Sequence, residues 1–429
     1  MSGEKIALNE CALSRPVIGI DLTLSEKEEI PVKPWALAGG TAARTAERTP
    51  AQACLHLPSE TEPLPMGAPL WPVARWVGAI DPIRGFAALA VVIHHSWQQS
   101  HFAPGFFLGS GLGEWGVSLF FVLSGFCIHL PQAFKGFGQN RVEVNWRQFF
   151  FRRARRLLPT HYAALALSIL AGFWIPTNLI RRPANGAVIA HIFMIHVWYQ
   201  PYFWSINAVF WTIAIEVHFY LAYPIFLRLR EKFGERLPVL MFAFGLSFYT
   251  AASFLLKGDY QFVFRHLFLC YWWEWALGAY LADVYVRGQS AFWMPMVRFR
   301  SSALAWGIAS LVIGSFNPLI GLLHLQMWLA PVVCFLFLGA ALLRPSWPHV
   351  PLLSYFGSFS YSLYLIHPVA IAIVLHLIGN YRGISSIMYF VGFSILISWL
   401  FFLLVERHFL SQRQTAHAVL RAQAADMPT

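Results

Sequence analysis

Residues 80–101, IDPIRGFAALAVVIHHSWQQSH, decide how the rest of the chain is interpreted. They predict a membrane helix with an arginine near its start and two histidines beyond its middle. Arg84 and His95 are eleven residues apart, so a helix places them on one face, separated by roughly 16 Å along its axis. Ionisable side chains inside a bilayer are costly and usually face the interior of a bundle. The pair is therefore a candidate functional site, and His94 lies about 100° further around the helix.

The composition is that of a polytopic membrane protein. Of the 429 residues, 57% are hydrophobic and 12% are charged, whereas soluble domains carry about 25% charged residues. We attribute the net charge of +11 to basic cytoplasmic loops rather than to nucleic-acid binding. The five cysteines show no CxxC spacing, so neither a disulfide framework nor a zinc site is expected.

Three regions are predicted along the chain. Residues 1–75 read as a mostly disordered cytoplasmic extension without a cleavable signal peptide. Residues 76–410 form a membrane domain, and residues 411–429 form a flexible cytoplasmic tail. The hydrophobic segments long enough to span a bilayer are 80–100, 114–131, 157–175, 203–227, 238–256, 263–286, 303–318, 322–343, 357–378 and 385–406.

The basic residues support a topology with both termini inside. Lys and Arg concentrate in cytoplasmic loops, and this arrangement places the clusters at 147–156 and 228–236 on the cytoplasmic side. The apolar piece 187–198 is too short to span comfortably, and counting it as a span would move 228–236 outside. The predicted fold is all-α, with ten transmembrane helices and one short re-entrant or interfacial helix.

Polar residues within the predicted spans carry the functional information. Glu216 lies near the middle of the fourth span with Thr212 one turn earlier on the same face, and a carboxylate there needs a partner or a water-filled cavity. Ser360, Tyr364 and His367 follow i, i+4, i+7 spacing and form a polar stripe. A stripe that only satisfies contacts between helices is the alternative interpretation.

Four arginines fall within five residues of NWRQFFFRRARRLLPTHY, directly before the third span. Arg153 and Arg156 are at i, i+3, so their guanidinium groups could converge on a phosphate-rich ligand, and Pro159 would bend the chain there. The alternative is a basic run that obeys the topology rule and binds anionic lipid.

Other polar positions are interpreted more simply. Small residues in GVSLFFVLSGFCIH suit close helix packing. His218 is expected to face away from Glu216. Glu274 is a less certain candidate, whereas Asp283 and Glu406 lie close enough to the cytoplasmic ends to be interface residues.

The candidate residues fit general-base chemistry on a hydroxyl group. A histidine beside a carboxylate can act as the base, and the arginines suit a phosphorylated donor such as acyl-coenzyme A. There is no HExxH, P-loop or GxSxG motif. A transporter or a lipid or glycan flippase is the alternative, because midplane Glu and His residues and a re-entrant piece occur there too. A membrane scaffold would not explain Glu216.

The chain resembles the acyltransferase-3 family of integral membrane acyltransferases. The motifs that carry the resemblance appear in family order over about residues 78–408, and they are DPIRGFAALAVVIHHS, SLFFVLSGF, RRARRLLPTHY, FWTIAIEVHFYLAYP and LSYFGSFSYSLYLIHP. The resemblance implies ten spans in a bacterial inner membrane and O-acylation of a carbohydrate or other hydroxyl acceptor. It also implies acyl-coenzyme A, most simply acetyl-coenzyme A, as a cytoplasmic co-substrate. No permanently bound cofactor, metal or nucleic-acid partner is expected.

The family motifs map onto particular residues of this chain. The family's arginine and histidine pair falls on Arg84 and His95, and its RxxR pair on Arg153 and Arg156. Its later motifs fall on Trp211, Thr212, Glu216, Ser360, Tyr361, Tyr364 and His367. We expect His95 to be the base or acyl relay and Glu216 to orient it.

The arginines have separate expected roles. Arg84 would meet the pantetheine arm or stabilise an oxyanion, while Arg153 and Arg156 would bind coenzyme A phosphates. One departure from the family pattern is Val217 and His218 after Glu216, where an acidic or polar residue is expected. No hydrolase-like domain follows the last span, so we expect this single module to complete its own transfer.

Overall fold

The computed structural model describes residues 73–100, 109–136, 143–287, 305–306, 308–309, 326–342, 351–379 and 383–410. The predicted tail, nearly all of the predicted extension and most of the predicted span 303–318 lie outside these residues. Within the described residues the secondary structure is helical, apart from one isolated antiparallel bridge between Ile180 and Asn207. The all-α prediction is confirmed for this part of the chain.

The described helices are numbered here in chain order. They are α1 (Val73–Ser100), α2 (Gly109–Lys135), α3 (Trp146–Trp174), α4 (Ala187–Ile192), α5 (Gln200–Phe203), α6 (Phe210–Phe233), α7 (Leu237–Leu255), α8 (Gly258–Arg265), α9 (Phe268–Arg287), α10 (Gln326–Leu342), α11 (Pro351–Ser358), α12 (Ser360–Ile378) and α13 (Ile384–Leu404). Short 3₁₀ segments occupy His196–Trp198, Gly234–Arg236 and Glu406–His408.

Several helices have the length and apolarity of membrane-spanning segments. Five helical segments of the described chain meet both conditions, and they are Gly111–Lys135, Trp146–Trp174, Phe210–Leu255, Ser360–Ile378 and Ser385–His408. Each predicted span except 303–318 overlaps a described helix. Residues 187–198 form only a six-residue helix and a 3₁₀ turn, too short to cross a bilayer. The chain is therefore an integral membrane protein.

Glycines allow α2 and α9 to pack with their backbones in contact. A side chain at Gly125 would overlap the Trp275 carbonyl, and one at Gly278 would overlap the Val122 carbonyl. Small residues at helix contacts permit this close approach in membranes. The predicted packing role of the small residues in the second span is confirmed at Gly125, and the pair of helices forms a rigid wall.

Two carboxylates expected at the membrane interface instead have specific partners. Glu406 is 4% exposed and accepts hydrogen bonds from the backbone N–H and hydroxyl of Ser362. Asp283 pairs with Arg230, whose Nε lies 2.6 Å from Oδ2, and with His129 at 3.2 Å. The interpretation as simple interface residues is wrong for both, because a buried carboxylate needs donors that a helix end on its own does not offer.

Candidate active site

Two cavities in the helix bundle collect nearly all the predicted site residues. The smaller has a volume of about 170 Å³, and its lining includes Arg84, Arg153, Arg156, Thr212, Glu216, Ser360, Tyr361 and Tyr364. The larger has a volume of about 1000 Å³, and its lining includes His94, His95, Trp211 and Tyr364. His367 contacts His95 directly. These residues come from four helices, α1, α3, α6 and α12, which are far apart in the sequence and meet at two adjoining cavities.

Three arginines give the smaller cavity its positive charge. Arg84 comes from α1, and Arg153 and Arg156 come from the first turns of α3, where Asn145 caps the helix by accepting from Gln148 N at 3.0 Å. The Asp81 carboxylate lies 3.7 Å from Arg84 Nη1 and balances part of this charge. Arg84 Nη1 and Arg153 Nε are buried without a hydrogen-bond partner among the described residues. The cavity is therefore suited to an anionic ligand.

Glu216 belongs to the smaller cavity, where hydroxyl groups hold it. Ser124 donates a hydrogen bond to its Oε1, and Tyr220 bonds the same carboxyl group. Trp275 Nε1 lies 3.2 Å from Ser124 Oγ and donates to it. The carboxylate thus has donors on the protein side and shares a cavity with the arginine cluster, which together offset the cost of burying it.

His95 belongs to the larger cavity, and its ring contacts His367. His95 Nδ1 and His367 Nε2 are 3.0 Å apart, and His367 Nδ1 is 3.1 Å from the Leu363 carbonyl. Because a carbonyl only accepts, Nδ1 of neutral His367 carries the proton and its Nε2 accepts from His95 Nδ1. Nε2 of His95 is then left with its lone pair, which is the form a general base requires.

The expected pairing of Glu216 with His95 is not what the structure shows. The side-chain partner of His95 is a histidine on α12, whereas Glu216 lines the smaller cavity. Arg84 and His95, which the helical spacing placed on one face of α1, do not share a cavity. Arg84 lines the smaller cavity and His95 lines the larger one. His94 lines the larger cavity as well, with its ring 4.9 Å from that of His95.

Tyr364 lies between the two cavities. Its side chain lines both of them, as does Val117. The phenol oxygen is 2.7 Å from Thr212 Oγ1, and that hydroxyl also lies 3.0 Å from the Val209 carbonyl. The Phe120 ring packs edge-on against Tyr364 at 5.8 Å. This hydrogen-bonded ring separates the arginine cavity from the histidine cavity.

Two of the remaining predicted residues are anchored by hydrogen bonds to backbone carbonyls. Ser360 donates to the Gly357 carbonyl at 3.0 Å and Tyr361 to the Leu157 carbonyl at 3.1 Å. His218 contacts Trp198 Nε1 at 2.9 Å, outside both groups of lining residues, as expected. Sequence reasoning missed Glu114 as a residue of the larger cavity, because its position at the start of a predicted span carried no signal.

Comparison with known proteins assigns the family. The profile of the acyltransferase-3 family, described as an acyltransferase domain, matches residues 77–406. The chain belongs to the acyltransferase-3 family. This is a family of enzymes that transfer acyl groups other than amino-acyl groups, as the sequence motifs predicted.

Two relatives of this acyltransferase-3 protein share about a third of its length. "Putative peptidoglycan O-acetyltransferase YrhL" of Bacillus subtilis is 30% identical over 162 residues, which are 36% of this chain and 24% of that protein. Peptidoglycan O-acetyltransferase OatA of Listeria monocytogenes is 27% identical over 179 residues, which are 39% of this chain and 26% of that protein. The chain thus spans about a quarter of the length of these relatives. No solved structure matches it significantly.

Proposed function

We propose that this acyltransferase-3 protein is a membrane O-acyltransferase. It moves an acyl group, acetyl in the simplest case, from acyl-coenzyme A to a hydroxyl of a carbohydrate or other cell-envelope or secreted acceptor. The observation that carries the proposal is the meeting of an arginine cavity and a histidine cavity at Tyr364. Relatives named peptidoglycan O-acetyltransferases support acetyl as the group and a glycan as the acceptor.

The smaller cavity is the proposed donor site. Arg153 and Arg156 attract the phosphates of coenzyme A, because guanidinium groups match phosphate oxygens and hold a permanent charge. The pantetheine arm then extends past Arg84 and Glu216, and its thioester reaches the boundary with the larger cavity at Tyr364. Arg84, whose Nη1 pairs with Asp81 at 3.7 Å but has no hydrogen-bond partner among the described residues, contacts the pantetheine arm.

The larger cavity is the proposed acceptor site. Nε2 of His95 takes the proton of the acceptor hydroxyl as its oxygen attacks the thioester carbonyl. The carbon–sulfur bond breaks and coenzyme A leaves as a thiolate. His95 then transfers its proton to this thiolate. The products are the acyl ester of the acceptor and free coenzyme A. His367 keeps His95 in the productive tautomer throughout.

The proposed topology places the two cavities toward opposite sides of the membrane. Ten spans with both termini in the cytoplasm of a bacterial inner membrane put the arginine cavity on the cytoplasmic side, where acyl-coenzyme A occurs. The histidine cavity then faces the external side and its glycans. The basic residues at 147–156 and 228–236 support this orientation.

The direct test identifies the acceptor in cells and measures the effect of the candidate residues on acyl transfer. Cell-surface glycans and lipids from cells with and without the protein are compared by mass spectrometry, and radiolabelled acetyl transfer from acetyl-coenzyme A is assayed with protein in nanodiscs. We expect a mass increase of one acyl group that requires the protein. The His95→Ala protein should still insert into the membrane but should not transfer the acyl group. His218→Ala is the matched control, because the His218 ring contacts Trp198 and lines neither cavity.

The assignment of the smaller cavity to the donor is tested by measuring the donor KM in the same assay. Replacing Arg153 and Arg156 by Gln should chiefly raise the donor KM. A change in expression or insertion alone would support the anionic-lipid interpretation of this run. Full activity of His95→Ala would overturn the mechanism, and no acyl transfer by the wild type would favour a transporter or flippase.

A further inference from the structure

One buried carboxylate of the larger cavity has no part in the proposed mechanism. Glu274 lies on α9 with 1% of its surface exposed, and it lines the cavity that contains His95. Ser118 of α2 hydrogen-bonds the carboxyl group. The oxygen Oε2 is buried and has no hydrogen-bond partner within the described part of the chain. A buried polar atom without a partner costs free energy, so its presence calls for an explanation.

The surrounding helices prevent Glu274 from relaxing toward another partner. It lies on the face where α2 and α9 make backbone contact through Gly125 and Gly278. A wall packed at this separation has no room for a helix shift, and buried side chains keep one arrangement. The carboxyl group therefore keeps its place beside the cavity.

No described cation forms an ion pair with Glu274. Glu114, of like sign, lines the same cavity and acts on Glu274. Arg181 and Arg265 line this cavity as well. The unpaired oxygen of Glu274 therefore needs a hydrogen-bond donor. A hydroxyl group is a neutral donor that can supply this bond. The flat indole rings of Trp204 and Trp211 line the cavity as well and offer apolar surface beside the polar groups.

We infer that Glu274 is a specificity-determining residue for the acceptor. Its free oxygen accepts a hydrogen bond from a hydroxyl of the acceptor other than the one that is acylated. This contact selects polyhydroxylated acceptors and determines which hydroxyl reaches His95. The inference rests on the proposed function, since it assigns the larger cavity to the acceptor.

The test separates binding of the acceptor from binding of the donor. Wild type, Glu274→Met and Glu274→Gln are assayed in nanodiscs with acetyl-coenzyme A and peptidoglycan disaccharides released by muramidase, or O-antigen fragments if those are the better acceptor. Methionine matches the size of glutamate but cannot accept the bond, so the acceptor KM should rise roughly tenfold to a hundredfold. The amide oxygen of glutamine still accepts and should restore part of the affinity. The donor KM should not change.

A second measurement does not depend on catalysis. Because one oxygen of the ligand-free carboxyl group lacks a hydrogen-bond partner among the described residues, Glu274→Met should unfold at a temperature equal to or above that of the wild type. Glu143→Gln, at an exposed carboxylate before α3, is the matched control in both assays. An unchanged acceptor KM in Glu274→Met, or a lower unfolding temperature than the control, would overturn the inference. Absence of transfer by the wild type would instead refute the proposed function.

Discussion

His95 Nδ1 lies 3.0 Å from His367 Nε2, which joins the first described helix to α12 across 272 residues of sequence. The two rings are nearly stacked, with centroids 5.0 Å apart and an interplanar angle of 30°. His367 is anchored in turn by the Leu363 carbonyl. A histidine oriented through a second group is a common device for presenting one defined tautomer. His367 is therefore a positioning residue for the proposed base.

Replacing His367 by Ala should lower kcat about 10- to 100-fold with little change in either KM, because the partner that holds the tautomer is lost. His367→Gln should recover part of the rate, since its amide oxygen can accept from His95 Nδ1. Steady-state kinetics with both substrates tests this, together with the pH profile of kcat. The control is His376→Ala, an exposed histidine on the same helix. A uniform rise in KM would contradict the positioning role.

Tyr364→Ala should connect the two cavities and admit water to the donor. Hydrolysis of acyl-coenzyme A without acceptor should then rise severalfold, while transfer to the acceptor falls. Tyr364→Phe keeps the ring but loses the bond to Thr212, so its effect should be smaller. Release of free coenzyme A thiol, measured with and without acceptor, distinguishes the variants. Unchanged hydrolysis in the alanine variant would show that Tyr364 does not separate the cavities.

Gly278→Ala should destabilise the α2–α9 contact by about 3 kcal/mol or more, because its methyl group would overlap the Val122 carbonyl and the helices must separate. Gly392→Ala is the matched control. A side chain there meets nothing within 4 Å, and alanine should stabilise the helix interior by about 0.5–1 kcal/mol. Thermal unfolding in detergent measures both variants. Equal midpoints would refute the backbone contact between α2 and α9.

Two stacked histidines outside the spanning segments should make the protein less stable in acid. The rings of His191 and His196 are parallel with centroids 3.8 Å apart. Burial lowers the pKa of His191 from 6.5 to about 4 and that of His196 well below its ordinary value. The folded state therefore binds fewer protons than the unfolded state between these pH values, and stability falls as the pH decreases from 6.5 toward 4.

For His191 the loss should be on the order of 3 kcal/mol across this range. Unfolding midpoints at pH 6.5 and pH 4 measure it, and His191→Phe should reduce the difference between them. His408→Ala, at an exposed histidine, should leave the difference as in the wild type. If all three proteins responded equally, acid sensitivity would arise elsewhere in the chain.

The candidate residues themselves could be found in the sequence because each signal was local. Arg84 and His95 follow helical spacing, Glu216 interrupts an apolar span, and Arg153 and Arg156 stand at the start of another. A charge within twenty apolar residues is costly wherever the helix ends up. Hydrophobicity and periodicity likewise predicted the helices, because both depend on neighbouring residues and on the bilayer.

Only the tertiary structure decided which of these residues meet. It placed His95 beside His367 and Glu216 beside Ser124, although a histidine and a carboxylate looked like natural partners. It also gave Glu406 a partner on α12 in place of the expected interface position. Contacts between helices depend on how α1, α2, α6 and α12 cross and rotate against each other. That packing is set by small residues and shape across hundreds of residues of separation, which helical periodicity along the chain does not encode.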